Sequence, residues 1–179
     1  MADSKKAHET IAVMTELVLP NDTNVYNNLR GGKILHWMDM AAAISAQKHS
    51  NAQVVTASVD SVSFKNPIRI GTVVTIHSKV TRSFKSSMEV FLEVWAENIP
   101  ERKKYKSNEA YYTFVAIDDF GRPTPVPELI PETEDEKKQY DGAKRRRELR
   151  LILSGKMKPE ESVDLKALFF KDIKDILAK

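Results

Sequence analysis

Apolar and polar positions along this chain follow two rhythms. Residues 10–19 (TIAVMTELVL) have the apolar density of a strand, closed by Pro20-Asn21-Asp22. A polar loop over residues 21–28 follows. Gly31-Gly32 then opens a stretch, running to about Lys48, that is apolar almost all round. That pattern predicts a long, buried helix. Beyond it the pattern predicts strands over residues 54–64, 72–81, 88–97 and 110–118. The third is the clearest: Val90, Leu92, Val94 and Ala96 alternate with Glu89, Phe91, Glu93 and Trp95. Asn66-Pro67, residues 83–86 and residues 118–121 punctuate the strands as breaks and turns.

The order is therefore strand, long helix, then four strands joined by short connections, which favours antiparallel pairing. One apolar helix and one antiparallel sheet predict an α+β domain, a five-stranded sheet curled around the helix. Such a sheet covers only part of a helix that has almost no polar stripe. The remainder, and the open sheet edge, call for a second subunit. The Pro-rich run over residues 122–131 ends the sheet in extended chain. Residues 133–153 form a charged helix candidate, acidic at its start and basic later, which suits the helix dipole. Ser154-Gly155 stops it. Pro159-Glu160-Glu161 opens a last helix with Leu165, Leu168, Phe169 and Ile173 on one broad face. The expected organisation is one domain over residues 8–132 and a C-terminal helical extension over residues 133–179.

Composition narrows the chemistry. The 179 residues include no cysteine, which removes disulfides, zinc–thiolate sites and thiol nucleophiles. A formal charge of +3 is too mild to imply nucleic acid, yet suits a small anionic ligand where basic residues converge. The four histidines are scattered with no metal-binding spacing. No segment approaches a membrane span or a signal peptide, so a cytoplasmic protein is expected.

One carboxylate stands out: Asp39, inside the apolar helix. A lone buried Asp costs free energy unless it is paired or hydrogen-bonded. It lies about two turns after Gly31 and Gly32, near the same helical face and roughly 11 Å along the axis. Glycine at a helix start lets a ligand approach unpaired backbone N–H groups at the positive end of the dipole. Gly32 N–H can polarise a carbonyl oxygen there. A carboxylate on the same face then serves as general base on water or as nucleophile. The alternative is a structural carboxylate paired with His36, three residues before it, or with an Arg of a partner subunit. In the loop before the helix, the Asn24 amide can orient a water or donate to a carbonyl oxygen, although Asn-rich loops more often make turns and caps. Ser86-Ser87 beside Arg82 and Lys85 can bind phosphate, or form a solvated turn.

Several separated motifs resemble a known family. Leu19-Pro20-Asn21-Asp22-Thr23-Asn24, then Arg30-Gly31-Gly32 and Met38-Asp39, resemble the signature of hotdog-fold acyl-CoA thioesterases. The matches continue through residues 54–60, Phe64-Lys65-Asn66-Pro67-Ile68, Ser86-Ser87-Met88-Glu89-Val90 and Tyr112-Thr113-Phe114-Val115, covering roughly residues 10–145. The resemblance implies a hotdog fold and hydrolysis of acyl-CoA to fatty acid and coenzyme A. It implies no cofactor, coenzyme A being part of the substrate and product, and no metal. It implies a homodimer at least, and a hexamer built as a trimer of dimers. The family's catalytic Asn and Asp match Asn24 and Asp39, acting across the dimer interface, one from each subunit. Coenzyme A's phosphates would meet Lys65, Arg82, Lys85, Ser86 and Ser87. A non-catalytic acyl-CoA-binding sensor and a hotdog enoyl-CoA hydratase are the competing readings.

Overall fold

The computed structural model describes residues 4–60, 62, 64 and 66–162. The chain divides after Glu132 into two units. The first contains β1 (Lys5–Lys6), β2 (Ala12–Leu17), α1 (Gly31–Ser50), β3 (Gln53–Asp60), β4 (Val73–Ser83), β5 (Ser87–Asn98), β6 (Lys103–Ile117) and β7 (Leu129–Ile130). Five of these strands form one antiparallel sheet in the order β2-β4-β5-β6-β3. The two shortest, β1 and β7, pair in parallel at its margin. This is the hotdog arrangement, with α1 as the filling.

The alternation in residues 88–97 does the expected work. Val90, Leu92, Val94 and Ala96 are all fully buried against α1, and Phe91 meets Tyr111 on the opposite face, the rings tilted with centroids 5.0 Å apart. Small residues on α1 (Ala41, Ala42, Ser45, Ala46) let the helix settle close to the sheet. Ser45 in that seam is satisfied: it meets Ser78 at 2.7 Å, and Ser78 Oγ donates to the Ala41 carbonyl at 2.8 Å.

Four expectations need correction. Residues 7–10 form a 3-10 turn, and β2 begins only at Ala12. β3 ends at Asp60. β6 starts at Lys103, seven residues before the apolar stretch beginning at Ala110. The polar run 103–109 carries no alternation. It is held by the ladder to β5 and by Lys106, which bonds Glu93 at 2.6 Å across the strands and Glu109 at 2.7 Å. Nor is α1 buried all round. Gly32, His36, Met40 and Ile44 form an exposed ridge, and Asp39 on its flank is half-buried. None of the described helices is long and apolar enough to cross a membrane.

The second unit holds α2 (Glu134–Leu153). Thr133 caps it: its Oγ1 accepts from Glu136 N–H at 3.2 Å, while Glu136 accepts from Thr133 N–H at 3.1 Å. Gly155, at φ +69°, follows the helix end. Pro159–Glu161 is a 3-10 turn; the apolar face expected over residues 165–177 lies outside the described residues.

Candidate active site

The loop between β2 and α1 is built around two short side chains. Asp22 is buried. It accepts from Leu19 N–H at 3.1 Å and pairs with Lys33 at 3.1 Å. The Leu19 N–H first, and the Lys33 ammonium after it, hold its carboxyl below the usual range. Asn24 then folds the chain back on itself. Its Oδ1 accepts from the backbone N–H of Tyr26 at 2.9 Å and of Asn28 at 3.2 Å. Both partners are N–H groups, so the atom they meet must be the amide oxygen. The amide can offer its NH2 to anything outside the loop, and Asn24 is thereby a fixed donor.

That donor lines a cavity of about 390 Å³ at the start of α1, together with Asn28, Gly31, Ile34, Phe64, Pro67 and Asn108. The α1 N-cap, Arg30, supplies no side-chain cap. The first intrahelical acceptor, the Arg30 carbonyl, serves Lys33 and Ile34, which leaves the Gly31 and Gly32 N–H groups pointing out of the helix end. A Cβ on Gly32 would meet nothing within 4 Å, whereas one on Gly31 would touch the Phe64 ring at 3.5 Å. The cavity wall is Gly31; Gly32 faces open space beside it.

Asp39 lies about 12 Å further along α1 and does not line this cavity. Its Oδ1 accepts from Thr56 Oγ1 on β3 at 2.7 Å, and among the described residues it makes no bond to His36. Thr56 reaches it because β3 bulges between Thr56 and Ser58. Across the bulge, Thr56 pairs with inward-facing Phe114 and Val59 with inward-facing Tyr112, so both face α1 although three residues apart. The broken alternation in VVTASVDSV is the sequence trace of that bulge, and it hides Thr56 from a period-two reading.

Within one chain, then, Asn24 and Gly32 stand at one end of α1 and Asp39 stands partway along it. Arg82, Lys85, Ser86 and Ser87 do not line the Asn24 cavity; they run from the end of β4 through the turn to the start of β5. There the Ser86 carbonyl accepts from Ala116 N–H at the far end of β6, and Arg82 lies 5.7 Å from the Phe84 ring. Lys65 lies outside the described residues.

The comparisons with known proteins bear on this geometry. A profile described as Thioesterase superfamily matches residues 26–102. An acyl-CoA thioester hydrolase of Bacillus subtilis, described as uncharacterized, is 42% identical over 134 residues, 75% of this chain and 78% of that protein. The chain belongs to the thioesterase superfamily, in the acyl-CoA thioester hydrolase family. It spans about a third of the length of the rat cytosolic acyl coenzyme A thioester hydrolase, which is 38% identical over 135 residues, 74% of this chain and 35% of that protein. Among solved structures, a hexameric acyl-CoA thioesterase superimposes with TM-score 0.82 at 39% identity, covering 85% of this chain and 97% of that one. The Staphylococcus aureus acyl-CoA hydrolase, in complex with butyryl coenzyme A and coenzyme A, superimposes with TM-score 0.76 at 35% identity, covering 98% and 99%. Variants of that enzyme replace an asparagine, an aspartate and a threonine singly by alanine, at positions 15 and then 17 residues apart. In this thioesterase-family chain the same 15 and 17 residues separate Asn24, Asp39 and Thr56.

Proposed function

We propose that this chain is an acyl-CoA thioesterase whose site is made by Asp39 of one subunit and Asn24 of another. The observation that carries this reading is the trio Asn24, Asp39 and Thr56. Its members are a fixed amide donor, a carboxylate and the hydroxyl that aims it, with the spacing of the three residues substituted in the S. aureus hydrolase. The separation of Asn24 from Asp39 along α1 supports completion by a second copy, as does the exposed loop tip, where Val25 is 91% and Tyr26 79% exposed. Met40 and Ile44 beside Asp39, and the free edge of β3, supply the rest of the interface. A hexamer of three such dimers follows the hexameric relative.

In this mechanism the Gly32 N–H and Asn24 Nδ2–H polarise the thioester carbonyl. Asp39, its Oδ1 held by Thr56, uses Oδ2 as general base. A water oxygen adds to the carbonyl carbon and its proton passes to Asp39. The C–S bond then breaks, and the proton goes on to the departing thiolate. The products are a carboxylic acid and coenzyme A. Arg82, Lys85, Ser86 and Ser87 remain the candidates for the phosphates, with Lys65. Thiol release from acyl-CoA by the wild type and by Asp39→Ala tests the proposal. Loss of about 10²- to 10⁴-fold in kcat is expected; full activity in a folded Asp39→Ala protein would overturn it.

A further inference from the structure

Arg69 stands beside the Asn24 cavity on a backbone that is fixed there. Leu29 N–H donates to the Ile68 carbonyl at 2.7 Å, and Ile70 N–H donates to the Asn27 carbonyl at 3.0 Å. The Tyr105 hydroxyl donates to the Pro67 carbonyl at 3.1 Å. Between the two backbone bonds, Arg69 and Asn28 face each other as an antiparallel pair. A pair of this non-hydrogen-bonded kind brings its Cα atoms to about 4.5 Å and puts both side chains on the same side. Asn28, Pro67 and Ile68 line the cavity together with Asn24 and Gly31. Arg69 is therefore a rim residue of that cavity.

The Arg69 side chain has no structural task that would hold it back. It is exposed, and among the described residues its guanidinium makes no hydrogen bond or ion pair. The charge around it is one-sided. Asp22 is the sole carboxylate over residues 17–38, and residues 61–72 carry none. Lys33 already pairs with Asp22, which leaves the rim positive through Arg30 and Arg69. Below the rim the lining is uncharged: amides from Asn24, Asn28 and Asn108 among apolar Ile34 and Phe64. A charged group belongs at the rim of such a cavity, not inside it. A guanidinium offers a planar fork of donors that matches a phosphate.

We infer that Arg69, from the subunit that supplies Asn24, binds phosphate of coenzyme A at the cavity rim. The thioester lies inward at Asn24, the uncharged pantetheine arm crosses the cavity, and the phosphates end at Arg69. This inference rests on the thioesterase reading above.

The test is Arg69→Gln, assayed on one acyl group carried by three thiols: coenzyme A, 3′-dephospho-coenzyme A and pantetheine. The expected result with acyl-CoA is a KM raised about tenfold, the weight of one charge-assisted hydrogen bond, and a kcat within about twofold of wild type. With the phosphate-free pantetheine thioester, KM should equal that of wild type. Arg69→Lys should recover part of the loss. The dephospho substrate assigns the phosphate: an effect that persists there belongs to the diphosphate, and one that vanishes belongs to the 3′-phosphate. A KM for acyl-CoA within about twofold of wild type would overturn the inference. So would an equal rise with the pantetheine thioester, which marks a change in cavity shape. An inactive wild type would overturn the thioesterase reading and this inference with it; an active wild type with an unaffected Arg69→Gln overturns this inference alone.

Discussion

Asn24 and Asp39 are each defined by what occupies one of their two polar ends. Asn24 gives its oxygen to the loop and keeps its NH2 for the cavity. Asn24→Asp keeps an acceptor for both N–H groups, so the thermal midpoint should hold. With the donor gone, kcat should fall about 10²- to 10³-fold; steady-state thiol release checks this. Asp39 is aimed by one hydroxyl, so Thr56→Val, of equal shape, should lower kcat about tenfold while leaving KM near wild type. His49 is a different kind of residue. It is fully buried, and its Nε2–H donates to the Pro127 carbonyl at 2.9 Å. Burial pushes its imidazole down. Its folded pKa lies below its unfolded one, so the unfolded chain takes up the proton first. Stability should therefore fall as pH drops through about 6.5. A thermal-midpoint series against pH should show the slope, and His49→Gln should flatten it. Asp39 was legible in the sequence because a carboxylate in an apolar helix is conspicuous. Asn24 was legible only through the family resemblance, since four Asn residues crowd that loop. Thr56 was not legible, because a bulge decides where it faces.

At the scale of elements, α1 does two jobs. One face is small and apolar and packs on the sheet; its first turn is left uncapped at Arg30 and open at Gly32. Gly32→Ala has room for its Cβ and gains helix propensity of about 1 kcal/mol. Its thermal midpoint should rise while kcat/KM falls, because the methyl stands where the thioester must approach. A rise in both would remove Gly32 from the site. The helix and the alternating β5 were readable because their periodicity is backed by burial. The start of β6 was not, because the polar run 103–109 is strand only through its partners on β5. The Pro-rich run was correctly extended. Its role as a strap, with Val126 N–H on the Lys85 carbonyl and Leu129 N–H on Ser83 Oγ, depends on contacts that span 40 residues or more.

For the whole molecule, a single chain is an incomplete enzyme in this account. Met40 at 38% and Ile44 at 44% exposed flank Asp39 on a helix whose other face is closed. A charge there should prevent assembly: Ile44→Glu should sediment as a monomer and lose thioester hydrolysis together with its partner's Asn24. The proposed second subunit was suggested in the sequence by the scant polar stripe on α1. Which residues it completes was not, because that depends on the distance between Asn24 and Asp39 along the helix. The most direct test of the central claim is complementation. Asn24→Ala and Asp39→Ala chains, differently tagged and co-expressed, are purified as mixed dimers and assayed for acyl-CoA hydrolysis. In a two-fold dimer, one of the two sites then carries neither substitution. The account predicts about half the wild-type kcat per dimer, from two parents that are each nearly inactive. Mixed dimers no more active than either parent would contradict it.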